Sequence, residues 1–254
     1  MMTLAVFLLL APAAQERGKQ IVQEALAALG GDKFLAMEDR VESGRAYSFF
    51  REELSGLARA KIYTRYLNHP AALRVRERQA FGKDENQVVL LTEKEGYEIT
   101  FRGARPMPDT ALDRFRDSTR RNIFYMLRMR LKEPGLILES RGADIVSNEP
   151  VEVVEITDAD NLTVTVYFHK STKLPTRQVF HRRDPQTKEK IEEVTVFSKY
   201  RDVGGGVMWP FTIRRERNGE KIYEIFSESV AINQGLNDSL FMLPANMKIL
   251  KKQK

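Results

Sequence analysis

The chain of 254 residues contains no cysteine. Disulfides and thiolate metal sites are therefore excluded, as is a lipid-modified cysteine that would anchor the protein to a membrane. No internal run reaches the ~20 apolar residues of a membrane span. Histidine is scarce: His69, His169 and His181 are far apart, and no H-E-x-x-H or other dense ligand spacing exists. G-x-S-x-G and Walker sequences are absent. Gly204-Gly205-Gly206 leads into a strand, whereas a phosphate cradle needs a following helix, so it reads as a flexible hairpin loop. Asp158, Asp160 and Asn161 open like a calcium loop but lack its later glycine and glutamate, so they read as a hairpin turn. Glu152 and Glu155 stand three apart on a strand and face opposite sides. No catalytic residues, metal ligands or cofactor are expected, and the protein is read as a non-enzyme.

Charge is nearly balanced, with 41 basic against 35 acidic side chains and a net +6. A nucleic-acid binder would show a basic stripe interleaved with aromatics, and none is visible. A modest basic excess suits a solvated surface or contact with an anionic membrane.

What is present begins with an apolar stretch, Thr3 to Ala11, followed by Ala11-Pro12-Ala13 and polar Gln15-Glu16-Arg17. This reads as a signal peptide over residues 1–14, cleaved after Ala13 or Ala14, although no basic residue precedes it. A short buried N-terminal segment is the alternative. Residues 15–254 are then expected to form one domain in the periplasm, soluble and without a lipid anchor.

Ile21, Val22, Ala25, Leu26 and Leu29 share one face of a helix over Glu16 to Leu29, which Gly30-Gly31 stops. Strand patterns follow, with a loop from Arg51 to Ala58 whose Leu54 and Leu57 either fold back or touch a partner or lipid. The Arg-rich strand Leu73 to Phe81 reads as exposed. Asp109 to Glu133 is a helical insertion, closed by Pro134-Gly135. A phase slip near Thr119 marks two helices or a bend. Its arginines are either a wet face or a contact for head groups or a membrane surface, with Arg120, Arg121 and Arg128 as candidates.

The last hundred residues alternate with period two. Leu162, Val164, Val166 and Phe168 lie on one side of a strand; Trp209, Phe211 and Ile213 lie on one side of another. Antiparallel strands with one dry side follow. In Val151 to Ile156 the apolar parity switches, which implies a bulge or burial on both sides. Pro210 lacks an N–H, so its strand is at an edge or bulged. The turn residues Asn218-Gly219 mark a tight hairpin.

A cadence runs through this region: Phe168, then Thr172-Lys173-Leu174-Pro175-Thr176-Arg177, then Phe197-Ser198-Lys199-Tyr200-Arg201-Asp202, then Gly206-Val207-Met208-Trp209-Pro210, ending at Leu240-Phe241-Met242-Leu243-Pro244. It resembles the bacterial outer-membrane lipoprotein-sorting proteins, the Lol-type periplasmic carriers, over roughly residues 151–244. The resemblance implies a mainly β fold: a curved antiparallel sheet forming an incomplete barrel, closed by helices packed into its mouth. It implies a cavity for acyl chains of lipoproteins or lipids and membrane proteins of the envelope as partners. We expect its walls to be Val164, Val166, Phe168, Trp209, Phe211, Ile213, Tyr223 and Ile225. Phe124, Met126, Leu127 and Met129 would line a helical lid over 109–133. The expected state is a monomer without nucleic acid. Two other readings stay open: an envelope scaffold whose barrel is filled by its own side chains, and a hydrolase with dispersed site residues.

Overall fold

A computed structural model describes residues 5–68, 73–184 and 186–252, and the side chains from residue 13 onward. His69 and Pro185 lie outside the described residues. Thirteen antiparallel strands form one sheet in the order β6-β5-β4-β3-β2-β1-β13-β12-β11-β10-β9-β8-β7. The sheet is curved and does not close, so it is an incomplete barrel.

The order follows from hairpins. β1 (Asp39–Phe50), β2 (Glu53–Tyr66), β3 (Val75–Phe81), β4 (Gln87–Leu91), β5 (Gly96–Thr100) and β6 (Gly103–Pro106) step outward one way. β7 (Ile137–Val146), β8 (Glu149–Thr157), β9 (Thr163–His169), β10 (Pro175–Arg183), β11 (Lys190–Asp202), β12 (Met208–Arg217) and β13 (Glu220–Ile232) step back from the other edge. β13 then pairs with β1, so the first and last strands meet mid-sheet. The insertion between β6 and β7 must therefore cross the mouth from one edge to the other.

Helix α1 (Ala5–Ala28) lies on β7, and Gly18 makes this possible. A Cβ on Gly18 would stand 2.4 Å from the Leu138 carbonyl oxygen, so a helical residue with any side chain would force the two apart. Arg17 pairs with Glu152 at 2.9 Å and Lys173 with Glu24 at 2.9 Å, which pins the C-terminal half of the helix. Ile21, Val22, Ala25 and Leu29 are buried in the main core, beside Phe34 of the short α2 (Asp32–Leu35).

Several expectations are corrected. Arg51 to Ala58 is not a loop: Arg51 and Glu52 alone turn the chain, and β2 begins at Glu53. Both turn residues have left-handed φ, 51° and 64°, without the Asn or Gly that such turns favour, so the hairpin carries no composition signal. Leu54 and Leu57 stay exposed on the strand. β3 is an inner strand paired on both sides, with Val75 and Ala80 buried; its arginines occupy the opposite face from Val75. β6 was not expected because it has only four residues. The bulge sought in β8 lies one strand over, in β7 between Ser140 and Gly142, and β8 is buried on both sides through Val151 to Val154. Pro210 sits where β12 has left β13, whose pairing starts at Thr212, so no ladder bond is lost there. The glycine loop 204–206 is tied down rather than flexible: the Asp202 carboxylate accepts from the Gly204 and Gly206 N–H groups and Lys33 donates to the Gly205 carbonyl.

Candidate functional site

The insertion divides into two parts with different jobs. Helix α3 (Asp109–Arg120) buries only Leu112 and is held mainly by polar contacts at its ends. Lys252 pairs with Asp109 at 2.6 Å, and Arg116 donates to the Lys94 carbonyl at 2.9 Å. At the far end Arg120 pairs with Asp160 at 2.8 Å. α3 is thus a strap tied to both sides of the opening.

The second part is embedded. Asn122 ends α3 by going extended and caps the one-turn helix α4 (Ile123–Tyr125), its side-chain oxygen accepting from the Phe124 and Tyr125 N–H groups. A π-helical turn over Met126–Arg130 follows. Ile123, Phe124, Tyr125, Met126 and Leu127 are all buried, so this piece has no wet face and plugs one end of the barrel. The Gln178 side-chain oxygen, itself buried on β10, accepts from the Ile123 N–H at 2.9 Å and satisfies a donor the short helix leaves free. The plug is anchored by a buried ion pair, Arg130 to Asp158 at 2.9 Å. Burial pushes the Asp158 carboxyl upward, but the Arg130 bond and the Leu162 and Asp160 N–H groups outweigh it and hold it below the usual range. Asp158 is thus consumed by structure, at the turn joining β8 to β9.

Between strap and sheet lies a cavity of about 500 Å³. Its lining comes from β1–β3 and β10–β13 together with the inner side of α3 and α4. The end against the plug is aromatic: Phe124 lies 4.6 Å from Trp209 and 5.0 Å from Phe197, ring centre to ring centre. Arg40 is buried there, its guanidinium 4.0 Å above the Trp209 ring and bonded to the Thr64 hydroxyl at 3.1 Å. Buried Glu42 stands 3.6 Å from Arg40 and accepts a hydrogen bond from Ser227. Ile62, Ile213 and Ile225 form an aliphatic middle.

The remaining lining is basic. Arg182 and Arg217 share one carboxylate, Glu193, at 2.8 and 3.1 Å. Arg215 makes no ion pair among the described residues and reaches only the Tyr223 ring, at 5.7 Å. Among the described residues, Arg114 bonds only the Thr110 carbonyl. Tyr223 has its hydroxyl pushed up to about 12, by burial first, with Arg215 pulling the other way.

Of the wall and lid residues expected from the sequence, Trp209, Ile213, Tyr223, Ile225 and Phe124 line the cavity. Val164, Val166, Phe168, Phe211, Met126, Leu127 and Met129 lie in the packed core beside it, around α1 and the plug. Of the proposed surface arginines, Arg121 and Arg128 are engaged inside the protein and Arg120 in a surface ion pair. Arg121 is buried, pairs with Asp117 and lies over the Phe180 ring; Arg128 donates to the Met37 carbonyl and lies over Tyr66; Arg120 holds Asp160. Sequence reasoning missed Arg40, Glu42, Gln178 and the arginines of β12. Parity held the signal: Arg215 and Arg217 continue the odd-numbered face of Trp209 and Ile213. His169 pairs with Glu149 and His181 with Glu192, and neither histidine is among the residues lining the cavity.

No protein-family description matches the chain, and no curated protein does. Solved structures do. A domain from Vibrio parahaemolyticus assigned to outer membrane lipoprotein sorting superposes with a TM-score of 0.59 at 12% identity, covering 89% of this chain and 97% of that one. A DUF1329 family protein from Desulfovibrio piger gives 0.58 at 12% identity, covering 88% and 96%. A LolA superfamily protein from Nitrosomonas europaea gives 0.46 at 12% identity, over 89% and 97%. The first two carry the fold, and only the fold: this chain shares with them the incomplete barrel with inserted helices. Among the described residues, no helix is long and apolar enough to cross a membrane.

Proposed function

We propose, proceeding from the shared fold, that this protein is an exported, non-catalytic carrier that holds one acyl chain of a lipid or lipoprotein beneath α3. The cavity of about 500 Å³ under the strap carries this reading. It lies within the range of about 300–1,000 Å³ usual for small-molecule sites. A methylene is comparable in size to a water molecule, whose share of liquid is about 30 Å³, so the space suits roughly 16 carbons. Burying such a chain gives roughly 10 kcal/mol before ordering costs. A lipoprotein with several chains would need α3 to swing away from its polar ties. Envelope membranes and their proteins are the partners this reading requires, with the carrier acting as a monomer.

Export rests on residues 1–14 as a signal peptide. Among residues 13–28 of α1, burial begins at Gly18, so cleavage after Ala13 or Ala14 spares every packed side chain described. Intact mass of the protein from a periplasmic fraction tests this; retention of residues 1–14 would refute it.

Binding is tested by native mass spectrometry after gentle purification and by uptake of a fluorescent fatty acid. Ile213→Trp, which fills the aliphatic middle, should abolish uptake. A protein that is always lipid-free and takes up no acyl probe is not a carrier. The second reading, a scaffold filled by its own side chains, is favoured by the plug at Ile123–Arg130, and that null result would select it.

A further inference from the structure

The cavity is asymmetric in charge, and that asymmetry names a ligand class. At the plug end, Arg40 and Glu42 offset one another. Asp117 on the strap is matched by Arg121. What remains is Arg114, Arg182, Arg215 and Arg217 against Glu77 and Glu193. Four positive charges facing two negative ones leave an excess of two inside a partly enclosed space.

The pairing is uneven as well. Glu193 is divided between Arg182 and Arg217, so neither guanidinium has a carboxylate to itself. The Arg215 and Arg114 guanidinium groups have no carboxylate within ion-pair distance among the described residues. An arginine fork holds five donors matched to the paired oxygens of a carboxylate or phosphate. Low-dielectric walls strengthen the field of Arg182, which is largely shielded, while Arg215 and Arg114 stand at the exposed rim where a head group would enter. Next to Arg215, the Tyr223 hydroxyl keeps its proton across the physiological range and makes no hydrogen bond among the described residues.

We propose that the cavity selects an anionic amphiphile: Arg215, with Arg217, Arg182 and Arg114, holds an oxyanion head while the aliphatic middle takes the chain. This rests on the carrier reading above and adds the head-group class to it. The head is a carboxylate or a phosphate, and the probes below separate them. A neutral amphiphile of equal length would leave those guanidinium groups facing an uncharged group, and its affinity would come from the chain alone.

The test compares palmitate, hexadecyl phosphate and hexadecanol, all of one chain length, by calorimetry or displacement of a fluorescent fatty acid at low salt. The anionic probe that fits should bind at least about tenfold more tightly than hexadecanol, the factor one charge-assisted bond supplies. The preference should shrink as salt is raised. Arg215→Gln and Arg114→Gln, separately and together, should bring the ratio toward one by weakening the anionic probe more than hexadecanol; Arg215→Lys should recover part of it. Both arginines are exposed, so neither change threatens folding. Equal binding of all three probes, or a ratio indifferent to both substitutions, overturns the head-group assignment while the carrier reading survives. Failure of every probe to bind overturns both.

Discussion

At the scale of single residues, stability concentrates where the chain departs from easy choices. Arg51 and Glu52 both hold left-handed φ, a conformation that costs an L-residue roughly 1–2 kcal/mol. Arg51→Asn with Glu52→Gly supplies the residues such a turn prefers. It should raise stability by about 1–2 kcal/mol in urea titrations, without touching the cavity. Asp158 is the opposite case, one carboxylate serving Arg130 and two backbone N–H groups. Asp158→Ala leaves the buried Arg130 guanidinium only the half-exposed Glu133 as counter-charge and should cost about 3 kcal/mol, the low end for a broken buried pair. Because its carboxyl is held below the ordinary value, the stabilisation is complete above the usual carboxylate range and lost as pH falls through the lowered pKa. The gap between wild type and variant should therefore be constant at neutral pH and close only in strong acid. A gap that closes between pH 7 and 5 would contradict this account.

Among elements, the contrast within the insertion decides which part can open. α3 is tied by surface ion pairs, each contributing no more than about 1 kcal/mol, whereas α4 and its π-helical turn are sealed in the core. Local opening draws on the least packed elements. Amide exchange should be fast across 109–120 and near the global limit across 123–130; equal protection in both would mean that α3 does not open alone. The sequence made the seam visible as a phase slip near Thr119, because periodicity tracks burial directly. It made β9 visible for the same reason, since Val164, Val166 and Phe168 alternate cleanly with half-buried neighbours, whereas in β12 Pro210 and Thr212 are buried along with Trp209 and Phe211. The β1–β2 hairpin was hidden because its turn uses residues with no turn signature. The polar half of the cavity was hidden because alternation marks an inner face by its apolar members. An arginine such as Arg215, on the parity of Ile213, reads as the strand's wet end unless the barrel around it is known.

For the whole molecule, the open barrel creates a hazard that the chain's own ends relieve. An incomplete barrel keeps two free edges, β6 and β7, and unpaired strand edges invite pairing with another copy. β7 is shielded by α1, brought close by Gly18. β6 is covered by the C-terminal segment: the Ala104 N–H donates to the Lys248 carbonyl at 2.9 Å and the Leu250 N–H to the Ala104 carbonyl at 2.8 Å. The same segment supplies Lys252, which ties down the start of α3. One stretch of chain thus guards an edge and fastens the strap over the cavity, so edge protection and opening of the strap are coupled. Removing residues 245–252 should have two effects together. The protein should begin to self-associate in size-exclusion chromatography, and exchange of a bound fluorescent fatty acid should speed up because α3 has lost one tie. Lys252→Ala should speed exchange without causing self-association, since the backbone bonds to Ala104 remain. Were Lys252→Ala to cause self-association as the truncation does, the edge would owe its protection to the ion pair rather than to the backbone bonds.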